Sequence, residues 1–78
     1  MGVKAGVPDV TIAIAAGGFH GLYVEMKAIG GRLSPEQRDL HELLRAQGYR
    51  VDVCFGWHEA TRAIERYLGR GGVVEERA

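Results

Sequence analysis

The segment at positions 23–27, Tyr-Val-Glu-Met-Lys, constrains this chain most, because it places a carboxylate and an amine inside an apolar run. Residues 22–27 are typical of a β-strand, whose side chains alternate between the two faces of a sheet. Glu25 and Lys27 therefore share one face, and Val24 and Met26 share the other. Burying an unpaired charge is costly, so stability alone does not account for this pair. We interpret the strand as half of a metal site.

The other half of this site comes from the segment Gly-Val-Pro-Asp at positions 6–9. Pro8 lacks an N–H group and has a fixed φ, so it suits the beginning of a strand. Asp9 then opens an apolar strand over residues 10–16, a Gly-Gly turn follows, and residues 22–27 return antiparallel. Pairing Asp9 with Glu25 puts two carboxylates and one amine on the same face, whereas a slip by one residue would bury Asp9.

This register makes specific pairing predictions. It places Val10 opposite Val24 and Ile12 opposite Leu22, so that one face of the hairpin is entirely apolar. The other face carries the polar residues Asp9, Thr11, Glu25 and Lys27.

A clear capping sequence predicts the beginning of the first helix. Ser34 is a suitable N-cap, Pro35 suits the first helical position, and Gln37 at the third completes a capping box. Gly48 is expected to end this helix. Its apolar stripe is predicted to consist of Leu40, Leu43 and Leu44.

A third strand is predicted over residues 50–55 and a second helix over about 57–68. Because a strand, a helix and a strand follow in order, the third strand should lie parallel to residues 22–27 through a right-handed crossover. The expected fold class is α/β, with a small mixed sheet and two helices in one domain over residues 1–69. We expect residues 70–78 to form a flexible tail. The predicted core face of the second helix comprises Trp57, Ala60, Ile64, Tyr67 and Leu68.

Composition limits the possible partners and compartments. Ten basic and ten acidic residues give a net charge of zero, so any DNA affinity must come from local clustering of basic groups and a bound cation. The single cysteine, Cys54, excludes an internal disulfide and is expected to be a reduced core thiol. No secretory or transmembrane segment is found, so the default expectation is a cytoplasmic protein. So short a chain buries only about 60% of its unfolded surface, which favours a partner subunit.

Three motifs together resemble a known family. Gly-Val-Pro-Asp at 6–9, Val-Glu-Met-Lys at 24–27 and Arg-Leu-Ser-Pro-Glu-Gln at 32–37 are similar to the virus-type replication-repair nuclease (VRR-NUC) domain of the PD-(D/E)XK superfamily. The resemblance runs from about residue 4 to residue 67. It implies a restriction-endonuclease-like core and a Mg²⁺- or Mn²⁺-dependent enzyme that hydrolyses DNA. It also implies a homodimer that cuts branched substrates such as four-way (Holliday) junctions.

The resemblance also implies roles for individual residues. Asp9 and Glu25 would hold the cation with the backbone carbonyl of Met26, since magnesium prefers oxygen ligands. Lys27 would orient or deprotonate the attacking water. Gln37 would position Lys27 or the water, and its capping role is an equally weighted alternative. Lys4, Arg32 and Arg38 are candidate contacts to the DNA backbone, with a solvated role as the alternative.

Other interpretations of these residues stay open. Without the resemblance, Glu25 and Lys27 would more often be an exposed strand pair, and Asp9 a turn residue after proline. The three histidines lack metal-ligand spacing; His20 is expected in a turn, and His41 and His58 on helix surfaces.

The alternative functions are non-catalytic. Family members carry a helix and a further glutamate before the Gly-Val-Pro-Asp motif, and this sequence begins too late to include them. The same fold could therefore bind DNA or a protein partner without cutting, or form a structural part of a larger assembly.

Overall fold

The computed structural model describes residues 8–69. Lys4 and the expected tail at 70–78 lie outside these residues. Three strands and two helices follow one another as β1 (Val10–Ile12), β2 (Leu22–Lys27), α1 (Pro35–Ala46), β3 (Arg50–Phe55) and α2 (Trp57–Tyr67). The sheet order is β1-β2-β3, with β1 antiparallel and β3 parallel to β2. The predicted α/β class with a mixed sheet and two helices is confirmed.

The hairpin has the register predicted from its apolar pattern. Val10 pairs with Val24 and Ile12 pairs with Leu22. β1 is nevertheless shorter than predicted, since it ends at Ile12 and not at residue 16. The hydroxyl of Tyr67 donates a hydrogen bond to the carbonyl of Ile14, so the backbone there bonds to α2 instead of extending the ladder.

The sheet lies between the two helices and has a different character on each face. The face toward α2 carries the apolar core, which consists of Leu22, Val24, Cys54, Ala60, Ala63 and Tyr67. The face toward α1 carries Glu25 and Lys27, because the residues of β2 alternate. Cys54 is buried, and burial raises the pKa of its thiol, as expected for a core cysteine.

The predicted capping box at the beginning of α1 is confirmed. Ser34 accepts a hydrogen bond from the backbone N–H of Gln37 at 3.1 Å, and its own N–H donates to Gln37 Oε1 at 2.9 Å. Gly48 follows the helix with a φ of +98°, a conformation that favours glycine. None of the helices within residues 8–69 is long and apolar enough to cross a membrane.

Two predicted apolar faces are partly wrong. Leu43 is 55% exposed, because the side of α1 that meets the sheet carries polar Gln37 and buried His41. Trp57, predicted in the core, is 68% exposed, because it begins α2 where the sheet ends. Ala63 takes a core position in α2 that was not predicted.

Replacing Gly48 by alanine is expected to destabilise the fold more than replacing Gly18. Both residues have similar positive φ values, +98° and +88°, so each substitution is expected to have the same backbone cost of about 1–2 kcal/mol. A Cβ at Gly48 would lie 2.6 Å from Cδ2 of His20, which stacks edge-on against Tyr49, whereas a Cβ at Gly18 meets nothing. Losing that ring contact should add about 0.5–1.5 kcal/mol. Urea denaturation measures the difference, and equal losses in the two variants would contradict it.

Candidate active site

Glu25 is an acidic residue of β2 whose side chain is buried against α1. It is 2% exposed. Its Oε2 accepts a hydrogen bond from Gln37 Nε2 at 3.1 Å, and its Oε1 lies 3.2 Å from His41 Nε2. A carboxylate oxygen accepts, so the Nε2–H of His41 is the donor when Glu25 is ionised. Both oxygens of this carboxylate are therefore oriented by α1, and each keeps a lone pair for a further ligand.

Asp9 immediately precedes β1 and is exposed. Its Oδ2 accepts a hydrogen bond of 2.7 Å from the backbone N–H of Met26. Every second residue of a strand directs its backbone N–H and C=O groups toward the same neighbouring strand. The backbone groups of Met26, like those of Val24, therefore point toward the β1 side of the sheet. The Asp9 side chain thus bonds to the β2 backbone at a point that lies before the first residue of β1.

Pro8 cannot supply a ladder donor for the Met26 carbonyl. If the register of Val10 with Val24 is continued by two residues, Pro8 falls opposite Met26. Proline has no N–H group, so it cannot donate to the Met26 carbonyl. The Pro-Asp pair therefore leaves a backbone oxygen available beside the Asp9 carboxylate.

The Asp9 carboxylate influences Glu25 electrostatically. Burial raises the pKa of Glu25, and the negative charge of Asp9 raises it further, while the hydrogen bond from His41 acts in the opposite direction. The net effect is a raised pKa. A divalent cation held by both carboxylates would offset this repulsion, so the residues present fit such a group.

The donor set favours a hard cation. Within residues 8–69 no group of three or more His, Cys, Asp and Glu side chains could hold a metal ion. A closed site of four side chains, as structural zinc requires, is thus absent from this part of the chain. Magnesium is usually held by one or two carboxylates together with water and phosphate oxygens, which Asp9, Glu25 and the Met26 carbonyl match.

Lys27 lies on the same face of β2 as Glu25 and is half-buried. Its methylene chain passes near Gly31, where a Cβ would lie 3.7 Å from Lys27 Cδ. Among the residues that the structure describes, the Lys27 amine has no hydrogen-bond or ion-pair partner. The amine is therefore available to an incoming ligand.

Gln37 performs two tasks at once. Its Oε1 caps α1 and its Nε2 donates to Glu25, so capping and site contact are not alternatives. The contact differs from the expected one, because Gln37 bonds to Glu25 and, within residues 8–69, makes no hydrogen bond to Lys27.

His41 was predicted on a helix surface, and that prediction is wrong. It is 1% exposed and lies against Glu25, and its Nδ1 has no hydrogen-bond partner among the described residues. The spacing of Gln37, His41 and Leu44, which share one helix face, is the sequence signal that could have located it. His58 is exposed on α2 and His20 is exposed near the hairpin turn, as predicted.

The candidate DNA contacts lie outside this buried cluster. Arg32 is exposed in the segment between β2 and α1, and exposed Arg38 has its Nη2 3.4 Å from the carbonyl of Leu33. Two depressions of 310 and 330 Å³ lie along β3, and neither is lined by Asp9, Glu25 or Lys27.

Replacing Glu25 by glutamine is expected to stabilise the metal-free protein at pH 7. The folded-state pKa of Glu25 is raised above 4.5, so wild-type stability falls as pH rises from 4.5 through the folded-state value. An amide has no charge to desolvate, and the other tautomer of His41 can accept its N–H.

Urea denaturation of both proteins with EDTA at pH 4 and pH 7 measures this effect. The variant should be the more stable protein at pH 7, and the gap should narrow at pH 4. The assignment would be contradicted if the variant's gain in unfolding free energy over wild type were smaller at pH 7 than at pH 4.

The comparisons with known proteins point to one domain family. The sequence profile of the VRR-NUC domain matches residues 1–57. A solved structure described as a VRR_NUC domain protein superposes with a TM-score of 0.82 at 37% sequence identity. The match covers 88% of this chain and 58% of that one, so the chain spans less than two thirds of this relative's length. None of the curated proteins matches.

The family profile includes the segments that contain Asp9, Glu25, Lys27 and Gln37. Profile and superposition rest on different properties, one on sequence and the other on backbone geometry, and they agree. The chain belongs to the VRR-NUC domain family.

Proposed function

We propose that this chain is a Mg²⁺- or Mn²⁺-dependent endonuclease that hydrolyses phosphodiester bonds in branched DNA. The observation that carries the proposal is the convergence of Asp9 and Glu25, in a member of a nuclease family. Lys27 lies on the same face of β2 as Glu25, and its amine has no partner within residues 8–69. Two carboxylates that can hold a cation and one amine are the groups that metal-assisted hydrolysis of a phosphate ester requires.

Each residue has a distinct task in this reaction. Asp9, Glu25 and the carbonyl of Met26 would hold the cation, which supplies Lewis acidity and lowers the pKa of bound water. The Lys27 amine orients the attacking water or offsets charge on the phosphate. Because Lys27 lies two residues after Glu25 on the same face, both groups can reach one phosphate.

Gln37 and His41 act through Glu25 and are therefore positioning residues. Each donates to a different oxygen of the carboxylate, which determines the direction of the remaining lone pairs. Such partners of a metal ligand typically affect metal affinity by about 10–100-fold.

The substrate proposal depends on local charge and on symmetry. Net charge is zero, so DNA must be bound by local groups. The candidates are Lys4, Arg32 and Arg38, together with the Lys27 amine at the end of β2. Two copies of the chain in a homodimer would supply two sites, one for each strand of a four-way junction.

Asp9→Asn, Glu25→Gln and Lys27→Met are each expected to reduce cleavage by at least about 100-fold, because each removes a group that acts on the reacting phosphate. Asp39→Asn, an exposed change on α1, is the matched control and should cleave as wild type does. The assay compares linear, flap and four-way DNA with and without magnesium. Wild-type rates in the Asp9 or Glu25 variant would show that the site assignment is wrong.

Removing the His41 ring should weaken manganese binding by about 10–100-fold, because Glu25 loses an orienting donor. His41→Gln keeps an N–H donor and should recover most of that affinity, whereas His41→Leu should not. Calorimetric titration with Mn²⁺ measures this independently of activity, and exposed His58→Leu is the matched control. Equal manganese affinity in the two His41 variants would mean that His41 only fills space.

A non-catalytic module that binds DNA or a protein is the second candidate. One observation favours it: Glu25 is 2% exposed and both of its oxygens already accept hydrogen bonds. In such a module the carboxylate would only attach α1 to the sheet. The manganese titration separates the two functions, since a module of this kind would not bind the ion.

A further inference from the structure

Two of the chain's six aromatic side chains stand apart from the others. The chain has one tryptophan, three tyrosines and two phenylalanines. Four of them stack within the fold, Phe19 against Tyr67 at 6.4 Å and Tyr23 against Tyr49 at 5.3 Å. Phe55 and Trp57 make no ring contact within residues 8–69, and they are 37% and 68% exposed.

One of the two exposed rings, Phe55, lies beside the candidate active site, and the other, Trp57, follows it by two residues. Phe55 is the register partner of Lys27 in the parallel ladder, so its side chain lies on the same face, one strand away. Neighbouring strands are about 4.8 Å apart. Trp57 follows after Gly56, whose φ of +101° turns the chain into α2. We call Phe55 and Trp57 the aromatic pair.

The position of the aromatic pair indicates what binds it. A phosphate held at Lys27 brings the adjoining nucleotide to the next strand, where Phe55 lies. Aromatic side chains beside basic groups bind single-stranded nucleic acid by stacking on its bases. In a continuous duplex the bases are stacked on one another, so only an unpaired base can meet these rings.

We propose that the aromatic pair stacks on an unpaired base next to the phosphate bound at Lys27, and that this contact selects branched or single-stranded DNA over continuous duplex. The inference rests on the proposed function and names the feature of the substrate that the site recognises.

Trp57 is the only tryptophan, so its fluorescence reports directly on this surface. The cleavage-deficient Glu25→Gln protein is titrated with magnesium present, using a flap DNA that has unpaired bases and a fully paired duplex of equal length. Quenching of Trp57 is expected with the flap, and little change with the duplex. Equal quenching by both DNAs would overturn the inference.

Variants measure the strength of the contact. Trp57→Ala and Phe55→Ala should each weaken binding of the flap DNA by about 5- to 100-fold and leave duplex binding unchanged. Trp57→Phe keeps a ring and should recover most of the loss. Leu43→Ala removes a comparably exposed apolar side chain from α1 and should bind as the parent does. Circular dichroism confirms that each variant is folded.

The outcomes separate this inference from the proposed function. If both alanine variants bind and cleave flap DNA normally, the inference is wrong and the nuclease proposal stands. If no DNA is cut by wild type but Trp57 still responds to unpaired bases, the inference stands and the nuclease proposal fails. If sedimentation shows that Trp57→Ala dissociates a dimer while flap affinity is unchanged, the aromatic pair joins two copies and the inference is overturned.

Discussion

The hydrogen-bonded burial of Glu25 is the interaction on which the site depends. A carboxylate that is 2% exposed would be strongly unfavourable without donors, and Gln37 and His41 supply one to each oxygen. These hydrogen bonds attach α1 to the sheet through polar groups, whereas α2 packs on the sheet through apolar side chains. This explains why α1 leaves Leu43 exposed, since its inner face is occupied by the contacts to Glu25.

A second constraint comes from the two residues that precede β1. Pro8 cannot donate to the ladder, and Asp9 uses its side chain to bind the Met26 N–H. The absence of ladder bonds at Pro8 and Asp9 therefore places the Asp9 carboxylate beside the Met26 carbonyl. The carboxylates of Asp9 and Glu25 serve both the fold and the proposed reaction. Replacing each with its isosteric amide is therefore more informative than truncating the side chain.

Local sequence signals predicted the parts of the fold that depend on local chemistry. The register of Val10 with Val24, the bounds of β3 and the capping box at Ser34 follow from alternation and from cap chemistry. The parts that depend on distant contacts were missed: the Tyr67 bond to Ile14 shortens β1, and β2 supplies the partner that buries His41. For the site, the sequence predicted which residues lie on the Glu25 face. It could not show that Gln37 bonds to Glu25, because that contact requires the crossover to be formed.

A crystal structure with manganese, located by its anomalous scattering, tests the central claim most directly. The account predicts one manganese peak about 2.0–2.3 Å from oxygens of Asp9 and Glu25, with the Met26 carbonyl as a further ligand and His41 still hydrogen-bonded to Glu25. A peak elsewhere, or none at saturating manganese while Asp9 stays bound only to the Met26 N–H, would contradict the claim that these two carboxylates share a cation.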